Sequence, residues 1–181
     1  MKMSKLIVLT MISTIALSVS IGHQAEAGTT KLHSWDQKID DASKRFEVLS
    51  VFNNEAVLDK ETGLVWEQSP DANTFFWTLA MSHCYTLELG GRKGWRLPTV
   101  EELSSLVDTT QSDPALPSGH PFSNVILTPF TPYWSASTVA DNTVFAWTVG
   151  FHNGYVFIDE NKGLYQGPAW CVRAGQGVYT Q

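Results

Sequence analysis

The stretch Gly90-Gly91-Arg92-Lys93-Gly94-Trp95-Arg96-Leu97-Pro98-Thr99, continuing to Asp108, constrains the fold more than any other part of the chain. Paired glycines enter left-handed backbone readily, so they end the helix that the preceding residues predict. Trp95 to Leu97 reads as a short buried strand, and Pro98 sets the turn after it. Thr99, with Glu102 three residues on, is a capping box, in which a hydroxyl and a carboxylate satisfy the first free amides of a helix. Val100, Leu103, Leu106 and Val107 then fall on one helical face. The segment is a structural hub and holds no catalytic constellation.

The elements around it follow from periodicity. Phe46 to Phe52, Ala56 to Leu58 and Leu64 to Glu67 are extended runs separated by Asn53-Asn54 and Asp59 to Gly63, which predicts an N-terminal meander. A short helix is expected near Trp35 to Ile39. From Thr74, the residues Phe76, Ala80, Cys84 and Leu87 recur at helical spacing and predict the main helix, running to Gly90 with Cys84 facing inward. Thr109 to Pro132 has no periodicity and holds Pro114, Pro117, Pro121, Pro129 and Pro132. Leu116, Phe122, Val125 and Ile126 within it predict an ordered loop pinned by side chains. Tyr133-Trp134-Ser135 opens a C-terminal sheet in which Phe145, Trp147, Val149 and Phe151 alternate strictly. Asn153-Gly154 is a hairpin turn, Tyr155 to Ile158 returns, Asp159 to Gly163 turns again, and Trp170 to Arg173 closes the sheet.

Residues 1–27 carry the pattern of a signal peptide: Lys2 and Lys5, an apolar run from Leu6 to Ile21, and Ala25-Glu26-Ala27 as a cleavage site. Residues 28–45 are expected to be a lead-in segment and 46–181 one domain, exported to the periplasm or beyond and without a membrane span after cleavage. Twelve Lys and Arg against 18 Asp and Glu give a net charge of −6, which argues against nucleic acid as a partner. Cys84 and Cys171 are the only cysteines. In an exported chain a disulfide is the simpler reading and a free thiol the alternative; two cysteines alone make no structural zinc site.

The ordered motifs Thr62-Gly63-Leu64-Val65-Trp66, Trp77…Ala80…Cys84, Gly94-Trp95-Arg96-Leu97-Pro98…Glu102-Leu103, Gly119-His120-Pro121-Phe122, Tyr133-Trp134-Ser135, Ala146-Trp147…Gly154 and Cys171-Val172-Arg173 carry a family resemblance. From Phe46 to Gln176 the chain resembles the exported bacterial domain family typified by the C-terminal domain of the Legionella collagen-like adhesin. The resemblance implies an α+β, C-type-lectin-like fold that is loop-rich, with two short helices packed on small antiparallel sheets. It also implies a disulfide from the main helix to the last strand, and binding through the C-terminal sheet and its loops. The family is similar in fold to formylglycine-generating enzymes, but such an oxidase needs reactive thiols beyond a structural pair. A non-catalytic binding module is therefore expected, with a glycan or cell-surface polymer as ligand and a protein partner or envelope-assembly role as the alternative.

Side chains suited to that role are Trp134, Tyr155 and Tyr165 as exposed rings for stacking, with Asp141, Asn142 and Asn153 as polar contacts in the loops of the same sheet. Trp66, Trp77, Trp95, Trp147 and Trp170 are read as core. Asp159-Glu160-Asn161-Lys162-Gly163 places oxygens at alternating positions, so Asp159 and Asn161 are weak calcium candidates, although hairpin turns use the same residue types. His33, His83, His120 and His152 lack metal-ligand spacing, and no nucleophile elbow or paired carboxylates stand out.

Overall fold

The first sheet starts from a short helix, α1 (Ala42–Arg45), whose N-cap Asp41 accepts from Ser43 N at 3.0 Å. This computed structural model describes residues 38–174. The expected signal peptide, most of the lead-in and the final residues lie outside that range. Most of the helix expected near Trp35 to Ile39 lies outside the described residues; residues 38 and 39 are not helical, and the first helical turn described is α1, where Asp41 supplies the cap.

Strands β1 (Phe46–Val48), β2 (Ala56–Asp59) and β3 (Leu64–Glu67) form the predicted meander, and the residues after β1 turn into a 3-10 segment, Ser50–Phe52. Asn53 and Asn54, both at positive φ, reverse the chain between the first two strands. Strand β9 (Val172–Ala174) pairs with β3, giving the order β1-β2-β3-β9. The last strand therefore completes the N-terminal sheet and does not close the C-terminal one as predicted. Arg45 and Asp59 lock this sheet: Nε donates to Oδ1 at 2.9 Å, Nη2 to Oδ2 at 2.8 Å, and Nη2 also reaches Ser105 O at 2.7 Å. Both side chains are buried, so each charge depends on the other for compensation.

The main helix is shorter than its spacing predicts. Thr74 and Phe75 form β4 (Thr74–Phe75), paired with β8 (Gly167–Pro168), and α2 spans Trp77–Thr86. Its end lies before the glycines. Gly90 and Gly91, at φ 53° and 70°, instead build a turn closed by Leu89 and Arg92, with Leu89 N donating to Arg92 O at 3.1 Å. A Cβ on Gly90 would strike the Phe52 backbone, so glycine there lets the turn pack directly on the 3-10 segment. Ala80 and Cys84 face inward as read, and Cys84 is bonded to Cys171 just before β9. Closing a loop of that length contributes about 4–5 kcal/mol on the chain-entropy account.

Trp95 and Leu97 are buried, but the strand predicted there is reduced to one bridge, Arg96 to Val172. The capping box is present in full: Glu102 N donates to Thr99 Oγ1 and Thr99 N to Glu102 Oε2, starting α3 (Val100–Ser104). Beyond it, the proline-rich loop is ordered by its apolar side chains. Leu116 and Phe122 join Trp66, Trp170, Leu103 and Tyr133 in one core cluster, with Val125 and Ile126 packed against it. The third sheet, β5 (Tyr133–Thr138), β6 (Phe145–Val149) and β7 (Val156–Asn161), packs between this cluster and a second one around Trp95, Trp134 and the disulfide. The architecture is α+β, with short helices, small antiparallel sheets and one disulfide.

Candidate functional site

The site is set by an irregularity in the third sheet. In β5 and β6, Trp134 pairs with Thr148 and Thr138 with Ala146, so Ser135, Ala136 and Ser137 all oppose the single residue Trp147. On the other side, Ala146 pairs with Glu160 and Thr148 with Phe157, so Ile158 and Asp159 oppose Trp147 as well. Both neighbouring strands bulge around one residue. Bulges free backbone groups and re-aim side chains, and the freed groups are used. Ser135 O accepts from Trp77 Nε1 at 2.8 Å, Ala136 N donates to Pro98 O at 2.7 Å, and Ser135 Oγ donates to Trp147 O at 2.7 Å. The bulge thereby joins the third sheet to α2 and to the hub segment.

Ser137 Oγ accepts from Val100 N at 3.0 Å, which seats the first turn of α3 beside the sheet. Between them runs an open groove of about 620 Å³, walled by Val100, Glu101 and Ser104 and floored by Ser137, Thr138, Trp147 and Val156. Trp147 is half-buried. Among the described residues its indole N–H has no hydrogen-bond partner, a property it shares with the buried Trp66, whereas Trp77, Trp95, Trp134 and Trp170 each donate to a backbone oxygen. The Thr138 hydroxyl accepts from Lys162 Nζ at 2.7 Å. Lys162 also donates to Thr143 O at 3.0 Å and stands 4.0 Å over the Trp77 ring, and desolvation pulls its pKa below the usual lysine value.

The residues picked from sequence are not gathered here. Trp134 is a correction: it is 0% exposed, its Nε1 donates to Phe75 O at 2.8 Å, and its ring meets Tyr165 edge-on at 5.1 Å. Packed against Phe75 and Tyr165 in the second core cluster, it is core. Tyr165 is half-buried against it, with its hydroxyl on Pro132 O at 3.0 Å. Tyr155 is 65% exposed, as expected. Asn153 turns its oxygen onto Tyr155 N at 3.1 Å. Asp141 and Asn142 are exposed, but in the β5–β6 turn, at the other end of β6 from Asn153 and Tyr155. The polar and aromatic candidates therefore do not converge on one ligand.

The turn expected at Asp159 to Gly163 starts later than predicted. Strand β7 continues through Asp159 and Asn161, so the turn begins at Lys162, and Asn161 Oδ1 accepts from Gly163 N at 2.9 Å. Among the described residues no three His, Cys, Asp or Glu side chains converge. Trp147 was missed because Phe145, Trp147, Val149 and Phe151 alternate on paper, whereas the bulge separates the half-buried Phe145 and Trp147 from the buried Val149 and Phe151. The small Ala146 and Thr148 between them are buried, and they were the available signal.

A second groove, of about 560 Å³, lies between α2 and the hub, where Met81 and Tyr85 face Trp95 and Leu97. The carboxylate with a strongly raised pKa, Glu67, lines neither groove. Burial, opposed by a hydrogen bond from Cys171 N and helped by the charge of Asp71, pushes it up to about 7. His120 accepts from Phe122 N at 3.2 Å, and burial lowers its pKa. Among the described residues no helix is long and apolar enough to cross a membrane.

A family model described as the Lcl C-terminal domain matches residues 55–173. No curated protein matches the chain.

Proposed function

The chain belongs to the Lcl C-terminal domain family, and on that premise we propose that it is an exported, non-catalytic binding module that holds a glycan or surface polymer in the groove between α3 and the third sheet. One observation carries the reading: a partly exposed indole with an unengaged N–H, held by bulges in both neighbouring strands and ringed by Ser104, Ser137, Thr138 and Glu101. A flat ring stacks on the apolar face of a sugar, while neighbouring hydroxyls and carboxylates take its hydroxyl groups. Fixing that ring in a sheet lowers the ordering cost of binding.

A glycan array probed with the oxidised chain tests this, run with calcium and again with a chelator. Binding that survives chelation and is lost in Trp147→Ala supports the groove. Binding lost on chelation moves attention to the Asp159–Asn161 segment as a cation site. No binding by a folded sample rejects the proposal.

The second reading, a protein-binding or envelope-assembly role, rests on α2. Tyr85 is 80% exposed, and Met81 is exposed beside it along the more apolar groove. Tyr85→Ala leaves sugar binding unchanged under the first reading and abolishes partner capture under the second.

A further inference from the structure

Resting on that reading of the groove, we infer that its ligand is an uncharged saccharide, presenting hydroxyl or acetamido groups, and that Glu101 excludes polyanionic polymers. The hydrogen-bonding pattern of the lining carries the first half. Ser137 Oγ already accepts from Val100 N, and Thr138 Oγ1 already accepts from Lys162 Nζ. Each hydroxyl therefore keeps its own O–H as a donor toward the groove. The Trp147 indole N–H is a third donor without a partner among the described residues. Glu101 is exposed and only accepts. A surface that mixes donors with an ionised acceptor matches groups that both donate and accept, as sugar hydroxyls and acetamides do. Sulfate, phosphate and carboxylate groups only accept and leave Glu101 unmatched.

Charge carries the second half. Among the described residues Glu101 is the one charged side chain lining the groove, and among them it has no ion-pair partner. The nearest cation at the rim, Lys162, is directed at Thr138 Oγ1, Thr143 O and the Trp77 ring. Arg96 is held by Glu102, and Lys93 lies near Glu88 at 3.5 Å. The chain's net charge of −6 adds a background field of the same sign as Glu101. An anionic group within contact range of an exposed carboxylate loses roughly fivefold in affinity.

The test compares two size-matched oligosaccharides, a neutral β-linked N-acetylglucosamine oligomer and a heparin-derived one. Each is titrated against the full oxidised chain and its Glu101→Gln, Glu101→Lys and Trp147→Ala variants at low and moderate salt. The expected result is neutral binding that is insensitive to salt and lost in Trp147→Ala. Heparin-derived binding is expected to be weak in the wild type and roughly tenfold stronger in Glu101→Lys. Preferential, Trp147-dependent binding of the sulfated ligand by the wild type would overturn the inference and leave the groove itself standing. An unchanged ligand ratio in both Glu101 variants would also overturn it. Failure of the folded wild type to bind either ligand would remove the groove reading along with the inference.

Discussion

The Glu102 carboxylate grips both terminal nitrogens of Arg96 at 2.6 Å while its Oε2 also accepts from Thr99 N at 2.9 Å. A single side chain thus closes the cap of α3 and ties the helix to the hub. Since Val100, Glu101 and Ser104 form one wall of the groove, this contact sets where that wall stands.

Burial alone would raise the pKa of Glu102, but the Arg96 hydrogen bonds, the Thr99 amide and the Arg96 charge outweigh it and hold it below the usual carboxylate value. Its contribution to stability is therefore present above its ordinary value and is lost as pH falls through its native one. Glu102→Ala, which removes a cap and a charge-assisted pair, should cost about 1–3 kcal/mol at neutral pH. Denaturant melts at pH 7 and pH 3 check this, and a deficit that does not shrink in acid contradicts it.

Glu67 has the opposite sign. Its pKa is raised by burial from 4.5 to about 7, so the native state holds an extra proton between those values. Stability is fully present below the ordinary value and falls as pH rises through about 7, at a cost of up to roughly 3 kcal/mol once the buried carboxylate is ionised. Glu67→Gln should melt higher than the wild type at pH 8 and close to it at pH 4.5. Parallel pH profiles for the two proteins would rule the account out.

Gly90 and Gly91 separate two costs that the sequence presents as equal. Both have positive φ, but a Cβ at position 90 would strike the Phe52 backbone, whereas at position 91 nothing lies within 4 Å. Gly91→Ala should cost only the left-handed penalty of about 1–2 kcal/mol. Gly90→Ala should cost clearly more, because backbone must move. Equal losses in Tm would contradict the packing described for this turn.

What the sequence made legible was local. The capping box at Thr99, the inward face of α2 at Ala80 and Cys84, and the core role of Leu116 and Phe122 depend on spacing and side-chain chemistry within a few residues. What was hidden depends on register between distant strands. Val172 joins β3 rather than the third sheet. Likewise, three residues of β5 face one residue of β6, and only the small Ala146 and Thr148 within β6 hint at that. This mismatch exchanges the roles of the two tryptophans, burying Trp134 in the second core cluster and presenting Trp147 to the groove. The candidate site was therefore the least legible part, since a bulge re-aims a side chain without altering its strand's composition.

The two tryptophans should accordingly respond in opposite ways to truncation. Trp134→Ala removes a fully buried ring and its bond to Phe75 O, and should destabilise by about 3–5 kcal/mol. Trp147→Ala should cost less, because its ring is only partly buried and its N–H binds nothing among the described residues. Thermal melts of the two variants side by side decide this, and equal losses would return Trp147 to the core.

The most direct test of the groove is tryptophan emission during titration with the neutral N-acetylglucosamine oligomer, comparing the wild type with Trp147→Phe. The account predicts a saturable blue shift or intensity change in the wild type that disappears in the variant while the melting temperature is largely kept. A saturable change that persists in Trp147→Phe, or no change at any concentration in the folded wild type, would contradict it.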